Sequence, residues 1–268
     1  MSLEPRAGER ARPSEEISSG QGDARRELDE ALAERRRVSV FIVYLIPLLC
    51  GFMFVTEWLR SMTAESVGTT IYTLPIIAVI TLVLIRPIRS LGLPWAAYGI
   101  TRARWRASLR DGLLFAIPAV LAATALKLAL VSLSPAHAEL PVFDCLATLT
   151  RELGSPAAAL RHFVLFNLAY VVLVVPLQEL IARGLLQGLL ERFIVSEQRT
   201  VLAILISNLI FGSFHLYLSV EVAIATIVLG VYLGSIYVRT RNLIGAWVAH
   251  AIIGTWVLTV IRLHAIVP

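Results

Sequence analysis

Apolar runs recur along most of this chain, and their length leaves few folds open to it. They cover about Val38 to Trp58, Thr70 to Ile85, Gly112 to Leu133, His162 to Ala182, Val201 to Leu218, Val222 to Val238 and Leu243 to Leu263. A helix needs roughly 18–20 such residues to cross a hydrocarbon core. Only helices or closed barrels satisfy their backbone hydrogen bonds in lipid. These runs are continuously apolar, without the alternation of a barrel strand, so helices are the solution. The whole sequence agrees, with 57% hydrophobic and only 16% charged residues. The sequence predicts an all-α fold, a polytopic transmembrane helical bundle of about seven to eight spans. The eighth arises if the helix after Pro176 is a tilted or re-entrant piece of its own.

Charge is confined largely to the segments between runs, so it speaks to membrane orientation and not to nucleic acid. Arg35 to Arg37, the loop holding Arg86, Arg89, Arg102, Arg104, Arg106 and Arg110, then Arg192, Arg199, Arg239 and Arg241, all fall on one side of a seven-span chain. That side is expected to be cytoplasmic, which puts the N-terminus in the cytoplasm. Lys127 is the only lysine, an Arg-for-Lys bias that points to a GC-rich bacterial genome and an inner-membrane location. Residues 1–37 carry nine acids and eight arginines, lack an apolar signal core, and read as a cytoplasmic tail. This tail is expected to be disordered at its start and a charged helix from about Asp23 to Arg37. Residues 38–268 form the membrane domain. Cys50 and Cys145 belong to no CxxC pair and imply no disulfide framework. Gly230 and Gly234 make a GxxxG that permits close helix approach, within the chain or between copies.

Ionisable groups inside a span are costly, about 2.5–3.5 kcal/mol each on insertion scales, and so point to function. Three clusters stand out. In Gln178-Glu179-Leu180-Ile181-Ala182-Arg183-Gly184, Glu179 and Arg183 are four residues apart on one helical face. In Phe211-Gly212-Ser213-Phe214-His215, Asn208, Phe211 and His215 recur at helical spacing. His250 lies early in the last run. Singly, each has a structural reading: an ion pair that locks helices, or a hydrogen-bonded core histidine. Together, one carboxylate and two imidazoles, spaced 36 and then 35 residues apart on three helices, can activate water. The same set could hold a divalent metal such as zinc, although the spacing is not HExxH. Arg262, His264, His162 and His137 read as interfacial or loop residues.

The segment Gln178 to Gly184 resembles the EExxxR motif of the CAAX-protease and bacteriocin-processing family, Phe211 to His215 its FxxxH motif, and His250 the histidine of its third motif. The likeness spans about Leu91 to Leu263. This family, which includes the type II CAAX prenyl endopeptidases, implies an all-helical bundle with a catalytic cavity inside the membrane. It implies Glu179, His215 and His250 as catalytic residues, with Gln178, Arg183, Phe211 and Asn208 in support. It implies a membrane protein, lipoprotein or peptide as substrate. Two positions depart from the pattern. Gln178 stands where the family's first Glu is usually taken as the base, and Gln cannot act as a general base. Gly254 stands where an Asn commonly follows the third-motif His. The resemblance therefore implies an intramembrane endopeptidase acting near the C-terminus of a membrane-bound or lipidated substrate. The alternative is a disabled member that binds or scaffolds a membrane partner. A small transporter is a third reading, disfavoured because the sequence has no inverted repeat.

Overall fold

The computed structural model describes residues 13–62, 70–133 and 139–263. His137 and His264 lie outside the described residues, as does the start of the N-terminal tail. Every described element is helical. They are α1 (Pro13–Met62), α2 (Thr70–Ser90), a 3-10 turn (Trp95–Tyr98), α3 (Trp105–Leu133), α4 (Ala147–Leu153), α5 (Pro156–Ala169), α6 (Val175–Glu179), α7 (Gly188–Phe193), α8 (Arg199–Ser213), α9 (Val220–Thr240) and α10 (Leu243–Thr255). Segments of π-helix join α5 to α6 (Tyr170–Val174) and α6 to α7 (Leu180–Gln187), and a third follows α10 (Trp256–Val260). Each of the seven apolar runs lies on helix for most of its length, and α1 continues without a break across the Arg37–Val38 junction. Among the described residues five helical stretches are long and apolar enough to cross a membrane, α8 being a shorter apolar helix. Pro156 to Phe193 is one continuous 38-residue stretch, so no separate re-entrant piece follows Pro176.

Local chemistry sets the helix ends. The Ser155 hydroxyl accepts from the Ala158 N–H, with Pro156 at the first helical position, where its missing N–H costs nothing. Ser219 caps α9 through the Val222 N–H at 3.1 Å, and Asn242 caps α10 through the Ile244 N–H at 2.9 Å. One departure from the sequence reading concerns the fifth run. Helix α8 ends at Ser213, and residues 214–218 form turns, so His215 sits on the turn and not within a helix.

Two packed zones hold the bundle. In the first, Val38, Phe41, Leu45 and Leu49 of α1 recur at three- and four-residue spacing and meet Ile80, Leu84 and Ile88 of α2 and Leu185, Leu186 and Leu189 beyond Glu179. In the second, Ala116 of α3 packs with Leu233 and Ile236 of α9 and Ala249 and Ile253 of α10. Apolar burial drives little association in lipid, so close contact at small residues matters more. Gly112 and Gly245 bring α3 and α10 together: a Cβ on Gly245 would meet the Ser108 carbonyl oxygen at 2.7 Å. Ser108 is also a polar hub, its hydroxyl donating to the Asn242 carbonyl at 3.1 Å and accepting from the Gly245 N–H at 2.8 Å. Large apolar side chains such as Phe54, Leu82, Leu121, Leu165 and Val228 face outward, as a lipid-facing surface requires.

Candidate active site

The site is built on the 38-residue helix that carries Glu179, and its shape follows from Pro176. Before the proline the helix widens, and the Val175 N–H bonds to the Tyr170 carbonyl, five residues back. In that register the Val171 carbonyl would take residue 176 as its donor, but proline has no N–H. The indole Nε1 of Trp247 fills the place, donating to the Val171 carbonyl at 2.8 Å. A second π segment begins immediately after Glu179, and such segments often accompany functional sites.

Glu179 and Arg183 are sealed from solvent, each with a side chain 1% exposed. Arg183 Nε stands 3.3 Å from Glu179 Oε2, an ion contact whose angles fall short of a hydrogen bond. The rest of the guanidinium is well held. Its Nη1 donates to Asn208 Oδ1 at 2.9 Å and its Nη2 to the Gly230 carbonyl at 3.0 Å. Four residues on, Gln187 Nε2 donates to the Gly234 carbonyl at 3.3 Å. The GxxxG thus serves contact within this chain: its bare backbone faces Asn208 and Gln187 and presents two carbonyls to them.

The other Glu179 oxygen, Oε1, is 2.6 Å from His250 Nδ1. With the carboxylate ionised it only accepts, and a neutral His250 then carries its hydrogen on Nδ1 and its lone pair on Nε2. That Nε2 has no partner among the described residues and is not one of the sealed polar atoms. His215 has the same tautomer for a similar reason: its Nδ1 is 3.0 Å from the Phe211 carbonyl, which cannot donate. His215 makes no hydrogen bond to Glu179 or His250, although the two imidazoles lie within Coulombic range of each other.

The structure therefore brings Glu179, Arg183, Asn208 and His250 into one buried assembly. It sets Gln178, Phe211 and His215 on a neighbouring cavity of about 60 Å³, with Leu49, Phe52 and Ile80 among its apolar walls. That volume exceeds the roughly 10–15 Å³ that one water requires. Adjacent helix positions diverge by about 100°, which is why Gln178 meets the cavity while Glu179 turns to His250. Asn208 lies with Phe211 on the buried face of α8, and its side chain turns to Arg183 and to Gly230. Arg262 lies 3.5 Å from Glu152, and exposed His162 stacks on Phe166, both at one end of the bundle.

Sequence reasoning missed Tyr170, whose ring meets the His250 ring edge-on at 6.1 Å, and Trp247. Neither belongs to a motif, and no charge marks them. The donor set does not suit zinc. Among the described residues no three His, Cys, Asp or Glu side chains are grouped to hold a metal. Both Glu179 oxygens are already engaged, one by a guanidinium that would repel a cation.

Fold and site together define a multi-pass helical membrane protein with a carboxylate–guanidinium–imidazole assembly inside the bundle. Residues 160–256, which include Glu179, Arg183, His215 and His250, match the family described as type II CAAX prenyl endopeptidase Rce1-like. The resemblance read from the three motifs is borne out over this segment, which is similar to CAAX intramembrane proteases. No curated protein and no solved structure matches the chain.

Proposed function

We propose that the protein is an intramembrane endopeptidase that cuts a peptide bond near the C-terminus of a membrane-associated or lipidated substrate. The observation that carries this reading is the 2.6 Å contact between Glu179 Oε1 and His250 Nδ1, which leaves Nε2 free. A carboxylate that fixes an imidazole in this way makes its far nitrogen a general base. In the proposed reaction His250 Nε2 takes a proton from water as the water oxygen bonds to the carbonyl carbon. The C–N bond then breaks, and the proton passes to the leaving amine. Arg183, in ion contact with Glu179 at 3.3 Å, holds the carboxyl in place. Gln178 and His215 hold the peptide or the water from the cavity side. Cleavage by the purified protein in detergent or nanodiscs tests the assignment. His250→Ala and Glu179→Gln are expected to lower kcat by about 10²–10⁴-fold, the range of general acid–base catalysis. Cleavage unaffected in both variants rejects it.

A second reading has its own support. Gln178 lines the cavity with His215, and no carboxylate is among the lining residues. On that reading the cavity binds a membrane partner without cutting it. Gln178→Glu separates the two. A large gain in cleavage marks the natural sequence as disabled, whereas an unchanged or lower rate leaves the Glu179–His250 pair as the working base.

A further inference from the structure

We infer that the Tyr170 hydroxyl is the hydrogen-bond donor to the scissile carbonyl oxygen, and that Gly254 is small in order to admit it. The inference rests on the hydrolytic reading above and adds a residue that no motif supplies.

The phenol tip of Tyr170 lies directly over Gly254. A Cβ built on Gly254 would stand 2.7 Å from Tyr170 Cζ and 2.8 Å from Cε1, closer than real carbon contacts, and closer still to the hydroxyl oxygen. Any side chain at 254 would evict the phenol. The same ring meets His250 edge-on at 6.1 Å and stacks on Phe166 at 6.2 Å and 5°. Packing therefore fixes the ring in two directions, and the hydroxyl is carried to a set place over Gly254, one helical turn after His250.

That hydroxyl has no hydrogen-bond partner among the described residues, yet it is not one of the sealed polar atoms, which are Glu179 Oε2, Arg183 Nε, Gln187 Oε1 and Thr255 Oγ1. It shares this condition with His250 Nε2. Two groups of complementary character thus sit on rings packed edge-to-face at 6.1 Å, a lone pair on His250 Nε2 and an O–H on Tyr170. Attack on a carbonyl needs both: a base for the water proton and a donor where negative charge grows on oxygen. Gly254 has no side chain to supply that donor, and the phenol occupies its space. As water adds, the carbonyl π electrons move onto oxygen, where the Tyr170 O–H stabilises them without giving up its proton. When the C–N bond breaks they return to re-form the carbonyl.

Tyr170→Phe removes the hydroxyl and keeps the ring contacts. Cleavage of the same peptide is expected to lose about 10²–10³-fold in kcat, as for the loss of one oxyanion donor. KM and the unfolding temperature should stay as in the natural protein. A phosphinate analogue of the cleaved bond, which carries the tetrahedral charge, should bind more weakly by a similar factor, whereas a role in packing alone would leave its affinity intact. Gly254→Ala, which pushes the phenol away, should impair kcat in the same direction. Full kcat and unaltered phosphinate affinity in Tyr170→Phe overturn this inference and leave the endopeptidase reading standing. Absence of cleavage by both the natural chain and Gln178→Glu removes the reading and the inference together.

Discussion

At Arg183 the guanidinium has no water to fall back on, and each of its nitrogens is committed to Glu179, Asn208 or the Gly230 carbonyl. Removing one partner of a buried ion pair leaves the other charged and unsolvated, a loss of about 3–5 kcal/mol. Arg183→Ala should therefore lower the unfolding temperature in detergent sharply. Glu179→Gln combined with Arg183→Met removes both charges and should cost less than Arg183→Ala alone, a comparison that thermal unfolding decides. Asp144, in the loop before α4, offers a pH test outside the membrane spans. Burial pushes its carboxyl up, but the Thr148 hydroxyl at 2.5 Å and the Thr148 N–H at 3.0 Å outweigh this, and with Arg262 and Lys127 nearby they hold it below the usual carboxylate range. A carboxyl lowered in the folded state adds stability above its unfolded pKa and loses it as pH falls through the folded value. Thr148→Val removes one donor and raises the folded value, so the stability gained above the unfolded pKa should shrink and its loss on acidification should be complete at a higher pH. Unfolding temperature followed across the carboxylate range for both proteins checks this.

Helix periodicity made Glu179, Arg183 and the divergence of Gln178 legible, because those residues lie within a few positions of one another. Tyr170 was not legible for a physical reason. Nine residues of regular α-helix place it about 180° from Glu179. The intervening π segment absorbs the equivalent of one residue and leaves roughly 80°. The turn at His215 was hidden likewise, since the apolar run continues to Leu218 although the helix stops at Ser213. The π segment before Pro176 makes its own prediction. Trp247→Phe leaves the Val171 carbonyl without a donor, which should cost about 1–3 kcal/mol. Pro176→Ala returns a backbone N–H to that carbonyl, so the double variant should recover part of the loss. If Pro176→Ala destabilises Trp247→Phe further, the indole is not answering for the missing N–H.

At the scale of the whole molecule, the helix ends sort the charges. The loop between α2 and α3, the turn between α7 and α8 and the turn between α9 and α10 gather Arg86, Arg89, Arg102, Arg104, Arg192 and Arg199, with Arg239 and Arg241 beside them. The lower part of α1 joins this end, for Glu34 accepts from Arg192 at 2.6 Å. The opposite end, with α4 and the end of α10, mixes its cations with acids: Lys127, Arg151 and Arg262 lie among Asp144 and Glu152. From the excess of arginine in the short loops of the first end we propose that it is cytoplasmic and that α4 and its loop face the opposite side. The two cysteines can test this without engineering. Both are free and exposed, Cys145 in the loop before α4 and Cys50 on the apolar stretch of α1. A charged maleimide added to intact spheroplasts should label Cys145 and leave Cys50 unmodified. A small apolar maleimide should reach Cys50 as well, and Cys145→Ser identifies the labelled site. Protection of Cys145 until the membrane is opened would reverse the orientation, and with it the side of the bilayer on which the mouth of the Gln178–His215 cavity must be sought.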